Sequence, residues 1–139
     1  MASRYYITTT LPYVNAKPHL GFALEIIQAD VLARWQRSLG KEVFFNTGTD
    51  EHGLKIYQKA AELGKTPQEY CDESAEHFKA LKEKLDLSFD NFIRTTDAHH
   101  IAAAQEFGNG AMPTAIFLKK FTRRSIVLAV NWKLPIPNW

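Results

Sequence analysis

A chain of 139 residues with 45% apolar and 23% charged side chains can enclose one hydrophobic core, and so reads as one soluble globular domain. No apolar run approaches the roughly 20 residues that cross a bilayer, and Met1-Ala2-Ser3-Arg4 leads into a strand-like segment without a signal-peptide stretch. By these features a membrane-spanning or exported protein is not expected, and the cytoplasm is the expected location. Cys71 is the single cysteine, which excludes an internal disulfide and a cysteine-based zinc site. The net charge of +2 hides a break: residues 1–107 hold all 15 acidic side chains and sum to −3, whereas residues 108–139 hold five basic and no acidic side chains.

In chain order, Tyr5 to Thr10 is aromatic and β-branched throughout and predicts a buried strand. A loop with Pro12, Asn15 and Pro18 follows. From Leu20 a long helix is expected, with Leu24, Ile27, Val31 and Trp35 continuing its core-facing side at steps of three and four, and Gly40 ending it. Val43-Phe44-Phe45 predicts a second strand and Leu54 to Leu63 a second helix, closed by Gly64. Thr66-Pro67-Gln68-Glu69 is a capping box that opens a third helix with Tyr70, Phe78, Leu81 and Leu85 along its buried side. Asn91 to Thr95 fits a short third strand, and Asp97 caps a helix running to Phe107. This order predicts an α/β fold with a parallel sheet.

Two stretches carry chemistry. Each follows a strand, and in an open parallel sheet ligands bind beyond the carboxyl ends of the strands, so both are expected on one rim although about 30 residues separate them. His19-Leu20-Gly21-Phe22 starts the long helix, where unpaired N–H groups and the dipole favour an anion. His19 can donate to a phosphate oxygen, and Gly21 lets a nucleotide approach the backbone; the same residues also fit a plain helix start with Gly21 as a packing contact. In Gly48-Thr49-Asp50-Glu51-His52-Gly53, a carboxylate such as Asp50 can hold an ammonium group by a charge-assisted bond, or can simply favour the next helix start. Metal binding by Asp50, Glu51 and His52 is not expected, since consecutive loop residues seldom converge on one ion. His77, His99 and His100 read as solvated surface, and Cys71 as a small core side chain.

As an ordered set, Tyr6 to Asn15, Pro18-His19-Leu20-Gly21, Gln28-Ala29-Asp30, Phe45 to Gly53 and Phe92 to Thr96 resemble the N-terminal part of the methionyl-tRNA synthetases, class I aminoacyl-tRNA synthetases, over about Tyr5 to Phe107. The resemblance implies half of a Rossmann-type nucleotide-binding fold. It implies ATP-dependent activation of methionine to methionyl-adenylate, transfer to tRNA(Met), and no covalent enzyme intermediate. It assigns His19 and Gly21 to catalysis and, with Phe22, to ATP, and assigns Leu11 (through its backbone), Tyr13 and Asp50 to methionine. Phe22 stands where the family usually has a second histidine. Mg2+ would accompany ATP, and zinc is expected in full-length members, with no site in this chain. A Lys-Met-Ser-Lys-Ser-like loop, which the family uses later in the sequence, is absent, so little or no aminoacylation and doubtful tRNA binding are expected of the chain by itself.

After Phe107 the resemblance is expected to end. Back-translating residues 108–116 and 119–131 with one T restored at Phe107 permits strings like the family's continuation, including a C-x-x-C pair. Residues 108–139 are therefore read as an out-of-frame, poorly ordered tail, whose segment Ile126 to Val130, with Trp132 and Trp139, favours aggregation. Two other readings are a stand-alone ATP- or methionine-binding module and a tRNA-binding protein that uses the basic tail.

Overall fold

The computed structural model describes residues 3–111. The tail segment Ile126 to Val130, both late tryptophans and all five tail cations lie outside the described residues. The elements are β1 (Arg4–Thr8), α1 (Leu20–Ser38), β2 (Glu42–Thr49), α2 (Leu54–Glu62), α3 (Pro67–Lys79), α4 (Leu81–Lys84), β3 (Asn91–Arg94) and α5 (Ala98–Ala111). The strands form one parallel sheet in the order β1-β2-β3, with Tyr6 opposite Phe44 and Gly48 opposite Ile93. The expected α/β class and parallel sheet are present. α5 runs on to Ala111, four residues past the point at which the resemblance was expected to end.

Phe45 and the flanking alternate positions of β1 and β2 face the helices, and the core gathers there: Val14, Phe22, Ile26, Ala33, Phe45, Ile56, Ala60, Phe78 and Phe89 among others. Phe22 packs edge-on against Phe78 and Phe45 against Phe89, at centroid distances of 5.4 and 6.3 Å. Among the described residues, the other sheet face is exposed at Tyr6 and Phe44. Tyr6 is 63% exposed and stacks on Phe44 at 5.9 Å, which corrects the reading of β1 as a strand buried on both sides.

α1 is turned the other way from the sequence expectation. Its inner face is Phe22, Ile26, Ala29 and Ala33, while Leu20, Leu24, Ile27, Val31 and Trp35 point to solvent. Both sets recur every three or four residues, so periodicity cannot choose between them. The small Ala29 and Ala33 allow the helix axis to approach the sheet closely, and this selects the inner face. Gly40 follows the helix with φ +78°, as its role in ending the helix requires. The Thr66–Glu69 capping box forms in both directions. The third helix breaks at Ala80, however, so Leu85 falls outside it and is partly exposed rather than core.

Two constraints set the framework. A Cβ on Gly48 would lie 1.8 Å from the Ile93 carbonyl oxygen, so β2 and β3 approach where no side chain fits. Buried Asp30 ties α1 to the loop before β3: Oδ1 accepts from the Ser88 N–H and hydroxyl at 2.5 and 2.7 Å, and Oδ2 accepts from Arg34 at 2.6 Å. Burial by itself would raise the Asp30 pKa, but the hydrogen bonds from Arg34 and Ser88 outweigh it and leave the carboxyl below its usual 3.8.

Gly48→Ala is expected to cost about 3 kcal/mol, the upper end of ordinary overpacking, whereas Gly108→Ala, in an open position on α5, stays neutral or stabilises by up to about 1 kcal/mol. Urea unfolding of both variants measures this; equal midpoints would refute the close approach at Gly48. Asp30 has a depressed folded pKa, so its stabilisation is complete above the unfolded value and is lost as pH falls through the lower folded value. Asp30→Asn is accordingly expected to lose about 1–3 kcal/mol at pH 7, with the gap from wild type closing as the pH falls below about 4. A gap that stays constant across that range would refute the role of the Asp30 charge.

Candidate active site

The two chemistry-bearing stretches meet through the backbone. Beyond the carboxyl ends of β1 and β2, Tyr13 and Asp50 form an isolated parallel bridge, with the Asp50 N–H donating to the Pro12 carbonyl at 3.0 Å and the Val14 N–H to the Asp50 carbonyl at 3.4 Å. The rim expected from strand topology is thereby formed. Gly53 lies under the Tyr13 ring: a Cβ there would come 3.1 Å from Tyr13 Cε1, and its φ of +145° suits glycine alone. Thr10 fastens the start of the loop to α1, donating from its N–H and hydroxyl to Glu25 Oε1 at 2.7 and 2.9 Å.

His19 is the N-cap of α1. Its Nδ1 accepts from the N–H groups of Gly21 and Phe22 at 3.1 and 3.4 Å. An accepting Nδ1 on a neutral ring puts the proton on Nε2, so the exposed side chain presents a donor to solvent. Gly21 has His19 Cε1 3.0 Å from where its Cβ would stand, so a side chain there would push against the ring. Phe22, in contrast, is a core residue: it reaches the rim only as part of the floor of a depression of about 160 Å³ lined by Pro12, Tyr13, Lys17, Pro18, His19 and Phe78. Leu11 is half-buried in the loop between β1 and Pro12.

The two neighbouring carboxylates have different fates. Asp50 Oδ1 accepts from the His52 N–H at 3.2 Å and the Thr95 hydroxyl at 3.4 Å, while Oδ2 takes no hydrogen bond among the described residues. Glu51 is buried and paired on both oxygens. Oε1 accepts from Arg94 Nε and the Thr49 hydroxyl, each at 2.7 Å, and Oε2 from Arg94 Nη2 at 2.8 Å and the Thr96 hydroxyl. Arg94 also reaches Asp72 on α3 at 2.6 Å. Its hydrogen bonds to Glu51, then those to Asp72, raise its pKa further above the ordinary arginine value despite burial. Sequence reasoning gave Glu51 no such role; the signal was a lone basic residue at the end of β3, opposite an acid at the end of β2. Among the described residues no three His, Cys, Asp or Glu side chains gather to hold a metal, so these residues do not fit a zinc site. Nor is any described helix long and apolar enough to cross a membrane.

The parallel sheet thus carries a histidine-capped helix and an acidic loop on one rim. The chain matches the family described as tRNA synthetases class I (M) over residues 5–133, and it belongs to that family. It is 54% identical to the methionine–tRNA ligase of Thermotoga maritima over 104 residues, which is 75% of this chain and 16% of that one. The chloroplastic/mitochondrial ligase of Arabidopsis thaliana is 52% identical over 103 residues, and that of Lactococcus lactis 48% over 118 residues, covering 84% of this chain and 18% of the ligase. A structure of Mycobacterium tuberculosis methionyl-tRNA synthetase in complex with methionyl-adenylate superposes with a TM-score of 0.78 at 43% identity, over 80% of this chain and 22% of that one. The chain thus spans about one sixth of the length of the ligases it matches.

Cys71 lies beneath the rim, 2% exposed, with its thiol directed to the Glu51 carbonyl at 3.8 Å. Burial, and then the Glu51 charge, push its pKa up to about 12. At pH 8 only about one thiol in ten thousand is ionised. Ellman's reagent is therefore expected to leave the native chain unlabelled while reacting fully once urea unfolds it. Immediate labelling of the native chain would refute the packing of α3 under the acidic loop.

Proposed function

We propose that this segment forms the ATP- and methionine-facing rim of a methionine–tRNA ligase, which activates methionine to methionyl-adenylate and transfers it to tRNA(Met). The observation that carries the reading is the Tyr13–Asp50 bridge, which unites the two stretches in a chain 43% identical to a structure holding methionyl-adenylate. The His19 Nε2–H donates to a phosphate oxygen as negative charge grows in the transition state, and Gly21 leaves room for the nucleotide. Asp50, with Oδ1 already held, offers Oδ2 to the methionine ammonium. Tyr13 and the Leu11 backbone line the amino-acid side, and Phe22 supports the ATP side as the floor under His19. Magnesium arrives with ATP as part of the substrate, and the cytoplasm is the expected compartment.

The depression of about 160 Å³ is smaller than the roughly 300 Å³ at which ligand pockets usually begin, so the rim is one wall of a site. This favours a part of a ligase over a stand-alone binding module. The tRNA-binding reading rests on the basic tail, whose composition a one-base frame slip at Phe107 accounts for. The family match to residue 133 and the 118-residue alignment with the Lactococcus ligase make that boundary itself the point to test.

Resequencing the gene from the codon of Phe107 onward is expected to find one additional T and an open frame with a C-x-x-C pair. An unchanged sequence would mean that the chain is a real truncated product, and would refute a slip in the sequencing read. In the protein encoded by the restored frame, Asp50→Ala is expected to raise the methionine KM by at least about 30-fold in pyrophosphate exchange, and His19→Ala to lower kcat about 100-fold or more. Wild-type kinetics in both variants would refute the site. The present chain is expected to charge no tRNA with methionine.

A further inference from the structure

Thr95 stands one residue beyond β3 and is only 8% exposed. Each of its polar groups is committed to one stretch of chain. Its N–H donates to the Thr49 carbonyl at 3.1 Å, and its carbonyl accepts from His52 Nε2 at 3.1 Å. Its hydroxyl oxygen accepts from the Glu51 N–H at 2.8 Å and lies 3.4 Å from Asp50 Oδ1. The whole loop from Thr49 to His52 is thus laid on a single residue at the neighbouring strand end.

The direction of the hydroxyl proton follows from the partners. An N–H can only donate, so Glu51 takes a lone pair of the Thr95 hydroxyl and leaves its proton for another acceptor. An ionised carboxylate only accepts, so that proton points to Asp50 Oδ1. A separation of 3.4 Å is long for an O–H···O bond, whose usual length is about 2.7–2.8 Å. The contact therefore contributes direction more than energy. With Oδ1 turned to the Thr95 hydroxyl and the His52 N–H, Oδ2 is the oxygen turned away from both.

We propose that Thr95 is a positioning residue for ammonium binding at Asp50, its hydroxyl fixing which oxygen of that carboxylate meets the ligand. The inference rests on the reading of Asp50 as the group that holds the methionine ammonium. The backbone of any residue at position 95 keeps the loop beside β3. Only a hydroxyl accepts from Glu51 and donates to Asp50 at once. Valine has the shape of threonine without that group, and serine keeps it.

In the full chain, the side-chain carboxyl carbon resonance of Asp50 is expected to shift in Thr95→Val and to return to its wild-type position in Thr95→Ser. Kinetics are read in a chimeric ligase, the Thermotoga maritima enzyme with its 104 matched residues exchanged for those of this chain. There Thr95→Val is expected to raise the methionine KM about three- to tenfold in pyrophosphate exchange, with kcat and the ATP KM within about twofold of wild type, and Thr95→Ser to restore the methionine KM. Added to Asp50→Ala, Thr95→Val is expected to change the methionine KM no further, because the hydroxyl acts through that carboxylate. Stability lost from an unpaired Glu51 N–H appears in both backgrounds and does not give this pattern. A Thr95→Val effect that persists beside Asp50→Ala makes the residue structural only and overturns the inference. An unchanged KM in Thr95→Val beside a raised KM in Asp50→Ala also overturns it. An unchanged KM in Asp50→Ala removes Asp50 from the site, and the inference with it. In a chimera that makes no adenylate the resonance decides, and an unmoved Asp50 signal in Thr95→Val overturns the inference.

Discussion

The rim of this domain depends on one buried ion pair. Glu51 has no exposed side-chain surface, and a carboxylate so placed is stable only if fully paired. Arg94 meets both of its oxygens, two threonine hydroxyls complete the shell, and Arg94 Nη2, which donates to Glu51 Oε2, also donates to Asp72. Three elements that are distant in sequence, the ends of β2 and β3 and the first half of α3, are held together at this point. Removing one partner of such a pair ordinarily costs about 3–5 kcal/mol, because the other is left charged and dry.

The pair also determines what its neighbour can do. With Glu51 locked inward, Asp50 is left half-exposed at the loop, one oxygen steadied by the His52 N–H and the Thr95 hydroxyl and the other open. Thr95 accepts from the Glu51 N–H at 2.8 Å, so the group that steadies Asp50 is itself fixed by the backbone of the buried acid. On the adjacent strand end, His19 spends Nδ1 on capping α1 and thereby presents Nε2–H. Structural duty and chemical availability are divided between two acids in one case and between two ring nitrogens in the other.

Among the described residues, Tyr6 and Phe44 on one sheet face, one edge of β1 and one side of α1 are uncovered, while the inner face holds the hydrophobic core. This asymmetry agrees with a chain that corresponds to about one sixth of the length of its relatives.

Much was legible in the residues themselves. The Thr66–Glu69 box starts α3 because its signals are local, Gly40 ends α1 because only the backbone decides there, and the His19 and Asp50 stretches announce a rim because each follows a strand in a parallel sheet. Local rules could not orient α1, since two apolar stripes with the same spacing compete and only the fit of Ala29 and Ala33 against the sheet selects one. Nor could they tell Glu51 from Asp50. Adjacent acids in one loop are equivalent in sequence, and the difference arises from Arg94, 43 residues away. The chain by itself determined the order of elements and that the His19 and Asp50 loops each follow a strand; tertiary packing decided which side of each element is buried, because burial depends on what arrives from elsewhere in the chain.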